Sequence, residues 1–400
     1  MHRSDAGAVA APVGSAEADG AQPEQVSIPF VLMRGGTSKA VFLNIEDLPA
    51  DRAAWEPIVL SLFGSPDPRQ IDGLGGADLL TSKLAVIGPP TRDDADLDYT
   101  FAQVSITEPV VDYDINCGNI SAAVGAYAIE ERFVRPTDPV TLVRIHNTNI
   151  GRVLLAEVPV LGGHPVVDGD EVVDGVPGTG APIVLDYADA VGGATGSLFP
   201  TGRQRDALTV PGLGGEVEAS IVDIGNLCVF FPASSADVVG TEGPSDLSPG
   251  QLARFVAVKE AAAALLDLAS DGLVPIPVAV SPPAPYACYG TGRPVSADDV
   301  DIVARVVGGR PPVMHKAFPG TASVTTAVAA MIDGTTVAAA ARPRGDGEPV
   351  RVGHPSGVVT VWATVNAGET GWSVERAAYT RTARRLAEGR AFVRQSVFPD

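Results

Sequence analysis

Three sets of residues recur in the same order in the two halves of this chain. Gly36, inside a strand–turn–strand segment, has its counterpart in Gly225, 189 positions later. Gly118, at the mouth of a helix, matches Gly320 at an offset of 202, and Arg144 with His146 match Arg351 with His354 at 207 and 208. The order is kept while the offset drifts slowly, as loop insertions between duplicated units would produce. The period is far too long for a solenoid. The pattern predicts two halves related by a pseudo-two-fold.

Each half reads as α+β. Glycine (44) and proline (34) punctuate short strand-like runs such as "KLAVIGPP", "DYTFAQVSI", "VTLVRIHN", "GRVLLAEVPV" and "VPIPVAVSP". Helices are predicted over 118–132, 249–269 and 320–332. The first and last of these are rich in Ala, Gly, Ser and Thr and nearly lack a charged face. Strands can therefore pack closely around each of them, which a solvated amphipathic helix would not permit. The expected architecture is a mostly antiparallel sheet rolled around one central helix, twice. Residues 1–25 read as a disordered tail, 26–191 as the N-terminal half and 192–400 as the C-terminal half, whose last strand or helix can pack back on the first.

Twenty-eight basic against 48 acidic residues leave a net charge of −20, with no Lys/Arg-rich block. That excludes nucleic acid and an anionic membrane as natural partners, though not a small anion in a locally positive pocket. No run approaches 18 uncharged apolar residues, so no spanning helix is predicted. The three cysteines (117, 228, 288) share no metal-ligand spacing and cannot pair fully, and there is no CxxC or HExxH. Free thiols suit a reducing cytoplasm. Neither a metal nor an organic cofactor is expected.

Two stretches carry chemistry. In "DINCGNISAAVGAYAIEE" Cys117 stands at a helix start, where unpartnered backbone N–H groups and the helix dipole favour an anion and a reactive thiol. A buried capping segment with an inert thiol accounts for the same residues. In "GLGGADLLTSKLAVI" one of only four lysines, Lys83, enters an apolar strand. Buried, it would titrate low and serve as a general base. The plainer reading is a lysine snorkelling from a strand end. "MRGGTSKAVF" is either an anion-binding nest or a hairpin turn. His146, His315 and His354 each read as structural when taken singly, and Cys228 and Cys288 as inert.

Taken together, "MRGGTSKAVF", "GSPDPRQIDGLGGADLLTSK", "FAQVSITEPVVDYDINCGNISAAVGAYAI", "GVPGTGAPI", "LFPTG", "GHPSGVV" and "TRTARRLAEG" resemble the PrpF family over about 28–394. That family comprises 2-methylaconitate cis-trans isomerases, 4-oxalomesaconate tautomerases and methylitaconate isomerases. The resemblance implies a diaminopimelate-epimerase-like fold with the site between two pseudo-symmetric halves. It implies Lys83 and Cys117 as the acid/base groups. Gly35, Gly36, Thr37, Ser38, Gly75, Gly76, Asn116, Gly118 and Asn119 would then line the substrate carboxylates, with His315, Gly320 and Thr321 from the "HKAFPGT" stretch. Aligning Gly118 with Gly320 sets Pro319 opposite Cys117, so the two-thiol arrangement of epimerases with this fold is absent. The expected activity is a cofactor-independent 1,3-proton shift in an unsaturated di- or tricarboxylate. An epimerase or racemase and a non-catalytic carboxylate binder are the alternatives, and a homodimer is the default expectation for assembly.

Overall fold

The computed structural model describes residues 24–269, 271–345, 347–368 and 371–399. The expected tail falls outside these except at its end, where Gln25 already opens the first strand. Strands β1 (Gln25–Gly35) and β2 (Ser38–Asn44) form a hairpin whose tight turn needs the positive φ (+48°) of Gly36. Then β2 pairs in parallel with β3 (Lys83–Gly88), β3 antiparallel with β4 (Leu97–Val104), and β4 in parallel with β5 (Val140–Asn147). From β5 the ladder runs antiparallel to β6 (Arg152–Leu161) and on to β7 (Ile183–Asp186).

The second half repeats this ladder step for step. Strands β8 (Glu216–Ile224) and β9 (Asn226–Pro232) form a hairpin through Gly225 (φ +70°). Next come β10 (Ile276–Ser281) parallel to β9, β11 (Ile302–Gly308) antiparallel to β10, and β12 (Val350–His354) parallel to β11. Antiparallel steps to β13 (Gly357–Gly368) and β14 (Gly371–Arg381) complete the set. The matched arginines occupy equivalent places: Arg144 N–H donates to Asp96 and Arg351 N–H to Asp301, both at 2.8 Å.

The halves are interlocked by the C-terminus. β14 pairs with β7, and β15 (Ala383–Arg394) pairs along the whole of β1. This stitching brings residues from the end of the chain behind the first half's helix.

Each half rolls around one helix, α2 (Gly118–Glu130) or α4 (Gly320–Ala330), and both helices are buried along nearly their whole length. Small side chains make that possible. At Gly125 a Cβ would press on Val158 and Ala156 of the surrounding strand, so even alanine would force a neighbour to shift. Both helices share one apolar core with residues from both ladders. Two further helices lie outside. α3 (Pro249–Leu265) starts at a Ser248–Gln251 capping box, and α1 (Trp55–Phe63), which the sequence pattern did not reveal, ends at Gly64 in the left-handed region.

Candidate active site

The N-termini of α2 and α4 meet where the halves meet. Gly118 and Gly320 are each the first residue of their helix, and a Cβ on either would overlap the same atom, Tyr379 Oη. Their N-cap residues are Cys117 and Pro319, so the pseudo-two-fold gives one thiol and one imino acid. The first N–H groups of both helices lack intrahelical partners and point to the same region.

A clamp from the second half fixes this arrangement. Asn226, just after the Gly225 turn, accepts from Asn116 N–H (2.9 Å) and donates to Asn116 C=O (2.9 Å) and Thr321 Oγ1 (2.7 Å). Asn147 donates to Asn116 Oδ1 at 3.0 Å. The segment leading into Cys117 is thus held from two sides.

In front of the helix starts lies a cavity of about 70 Å³, lined among others by Ser38, Lys83, Gln103, Cys117, Asn226 and His315. Lys83 enters it from the start of β3, fully enclosed. Its Nζ donates to Gln103 Oε1 at 2.6 Å and lies 5.2 Å from the centre of the Phe101 ring. Burial pulls the lysine below its usual range, partly offset by the nearby Cys117 and Asp78. A buried lysine rather than a snorkelling one is therefore present. His315 is held neutral, pushed down to about 4 by burial and by the Lys83 charge, and its Nδ1 has no partner among the described residues. Cys117 is half-buried and makes no capping bond, whereas Cys228 and Cys288 are buried elsewhere. The Cys228 thiol is pushed up to about 12 by burial, as an inert thiol would be.

The expected residues divide into three groups. Ser38, Lys83, Asn116, Cys117, Gly118, Asn119, His315 and Gly320 line the cavity. Gly35, Gly36, Thr37 and Thr321 do not line it; they buttress the helix starts. A Cβ on Gly35 or Gly36 would strike Asn119, Thr37 Oγ1 accepts from Asn119 Nδ2 (3.1 Å), and Thr321 Oγ1 accepts from Asn226. Gly75 and Gly76 are not at the cavity. They give room to the side chains of Gln70 and Thr81, and Gln70 in turn ties the loop to Ser82 (2.7 Å), next to Lys83.

Several partners escaped the sequence reading: Gln103, Asn226, and the tyrosines behind the helix starts. Tyr187 and Tyr379 stack at 5.9 Å. Gln103 could have been found from the strand register opposite Lys83, and Asn226 from its place after the Gly225 turn.

A larger cavity of about 380 Å³ adjoins the first, sharing Leu79, Gln103, Leu273, Gly309 and His315 with it. Its walls are mostly apolar. Among the described residues two cations reach it: Lys316, ion-paired with Asp78, and Arg310, whose only side-chain partner among those residues is Asp112 at 3.4 Å and whose buried Nε has none there. Among the described residues no group of three or more His, Cys, Asp or Glu is placed to hold a metal ion.

The PrpF protein family model matches residues 25–394. The chain belongs to the PrpF family. Over 383 residues it is 47% identical to the 3-methylitaconate isomerase of Eubacterium barkeri, covering 93% of this chain and 99% of that protein. The crystal structure of a methylitaconate-delta-isomerase superposes with a TM-score of 0.76 at 46% identity, covering 94% of this chain and 97% of that one. A hydroxyproline epimerase from Agrobacterium vitis, 12% identical, superposes at 0.58 over 93% of both chains and so shares the fold. This PrpF chain is an isomerase with the diaminopimelate-epimerase-like fold.

Proposed function

We propose that this PrpF-family isomerase moves a proton and a double bond within a three-carbon allylic unit of an unsaturated di- or tricarboxylate such as 3-methylitaconate. The observation that carries the reading is the enclosure of Lys83 and Cys117 in one cavity facing two helix N-termini. Uncharged, Lys83 takes the proton from the allylic carbon next to a carboxylate. The electron pair spreads over the unsaturated acid as a dienolate, and the N–H groups at the helix starts meet the charge that develops on its oxygens. The Cys117 thiol returns a proton at the far end of the allylic unit, and the double bond moves. The ammonium and thiolate that remain are neutralised by a net proton transfer between them.

A second carboxylate on the substrate would reach Arg310, whose fork is barely used by Asp112, while the apolar wall of the larger cavity takes an alkyl substituent. The Pro319 position speaks against epimerisation by two opposed thiols. The test follows double-bond migration by absorbance with 3-methylitaconate, 2-methyl-cis-aconitate and 4-oxalomesaconate in turn. Turnover of one of them, lost on Lys83→Ala in a folded protein, is expected. A Lys83→Ala rate close to wild type removes the assignment of the base.

A further inference from the structure

The reaction as described leaves the buried charge of Arg381 without a use. Arg381, at the end of β14, is 6% exposed. Its Nε donates to Asn119 Oδ1 and one terminal nitrogen to Thr380 C=O, both at 2.8 Å, and its guanidinium lies 4.4 Å from the centre of the Tyr379 ring. It makes no ion pair with any described residue. Burying a charge without an ion-pair partner is costly.

The charged groups facing it offer a partial counter-charge at most, and none of them makes an ion pair with it among the described residues. Glu171, Asp174 and His354 share with Arg381 the wall of a separate polar cavity of about 80 Å³. Asp174 is committed to Arg293 (2.6 Å) and to Val358 N–H (2.8 Å). His354 is held neutral by burial, with Arg381 adding to the effect, and burial raises the Glu171 carboxyl, which Arg381 draws back down. On the other side stand Asn119, the second residue of α2, and Tyr379 between the helix starts.

A positive charge set directly behind the positive end of a helix is doubly unfavourable, because the two fields have the same sign. An anion in the cavity in front of α2 relieves both at once. We infer that Arg381 is a positioning residue of this site: it locks the Asn119 carboxamide at the start of α2 and sets a standing positive potential there, on which a carboxylate and its dienolate are stabilised. Its catalytic consequence rests on the proposed isomerisation; the potential itself can be measured without a substrate.

The measurement alkylates Cys117 in the full-length protein with iodoacetate, an anion, and iodoacetamide, its neutral counterpart. The ratio of the two rates cancels thiolate fraction and nucleophilicity and leaves the local potential. Cys117→Ala corrects for the other cysteines. In the wild type the ratio should exceed that of a free thiol such as N-acetylcysteinamide, although the protein's net charge of −20 opposes this, and should persist at 1 M salt because the source is buried. Arg381→Gln, which keeps a donor for Asn119, should lower the ratio about tenfold and lower kcat more than it raises KM, while Arg381→Lys retains most of both. A wild-type ratio at or below the free thiol's overturns the inference, as does an unchanged ratio in folded Arg381→Gln. An equal fall in Arg381→Lys does the same. A wild type that has the potential but turns over no acid defeats the proposed reaction and leaves Arg381's role standing.

Discussion

Lys83 and Gln103 stand opposite one another in register on neighbouring antiparallel strands, and the lysine Nζ donates to the carboxamide oxygen at 2.6 Å. The carboxamide is itself fixed, its nitrogen donating to Ser82 C=O (2.9 Å) and Leu79 C=O (3.3 Å). A glutamine holds the amine in place while stabilising its charged form less than a carboxylate would. Burial keeps the lysine below its usual range. Gln103→Glu is expected to raise the Lys83 pKa. On the proposed mechanism Lys83 acts uncharged, so kcat/KM near pH 7.5 should fall at least about tenfold, and the rising limb of its pH profile should move to higher pH. An unshifted limb contradicts Lys83 as the base.

The junction of the two helices predicts a steric pair. In Gly118→Ala the new methyl group would overlap Tyr379 Oη and crowd Tyr187 Oη (2.8 Å). A loss of about 1–3 kcal/mol in unfolding free energy and most of the activity is expected. Tyr379→Phe removes the first obstacle, so the double variant should regain part of the stability. Denaturant titration of the two singles and the double measures the coupling; strict additivity contradicts the geometry.

His315 gives the fold a pH dependence. Its pKa falls from the ordinary 6.5 to about 4 on folding, through burial and the Lys83 charge. Between those values the unfolded chain binds a proton that the folded one refuses. Stability from this group is therefore complete above pH 6.5 and declines as pH falls toward 4, by at most about 3 kcal/mol. His354, also pushed down by burial, acts in the same direction. The urea midpoint should drop over this window, and His315→Gln should flatten the drop; identical slopes exclude the effect.

At the larger cavity, Arg310→Gln should raise KM for a dicarboxylate about ten- to a hundredfold with little change in kcat, since the guanidinium would bind a group remote from the allylic carbons. The half-ester of the same acid should respond much less. Equal losses on both substrates contradict a carboxylate contact.

Much of this is legible in the sequence, for identifiable reasons. The drift of paired anchors revealed the duplication because a Gly with positive φ and a helix start tolerate few replacements. Uncharged helices announced their central position because a buried helix has no solvated face. What stayed hidden depends on register and on chain return. Gln103 matters only because it faces Lys83, and Arg381 only because β14 crosses back to β7. Gly75 and Gly76 were expected at the carboxylates, but the space they free is filled by Gln70 and Thr81. The short α1, with Pro57 in its first turn, lacked a pattern long enough to separate helix from strand.

The central claim is that Lys83 takes a proton from carbon in an allylic acid. Proton NMR in deuterated water tests it most directly, with wild type, Lys83→Ala and Cys117→Ala each mixed with 3-methylitaconate. Deuterium should enter the allylic unit as the double bond moves in the wild type, and Lys83→Ala should show neither exchange nor migration. Migration without deuterium entry, or exchange that survives the loss of Lys83, would contradict the account.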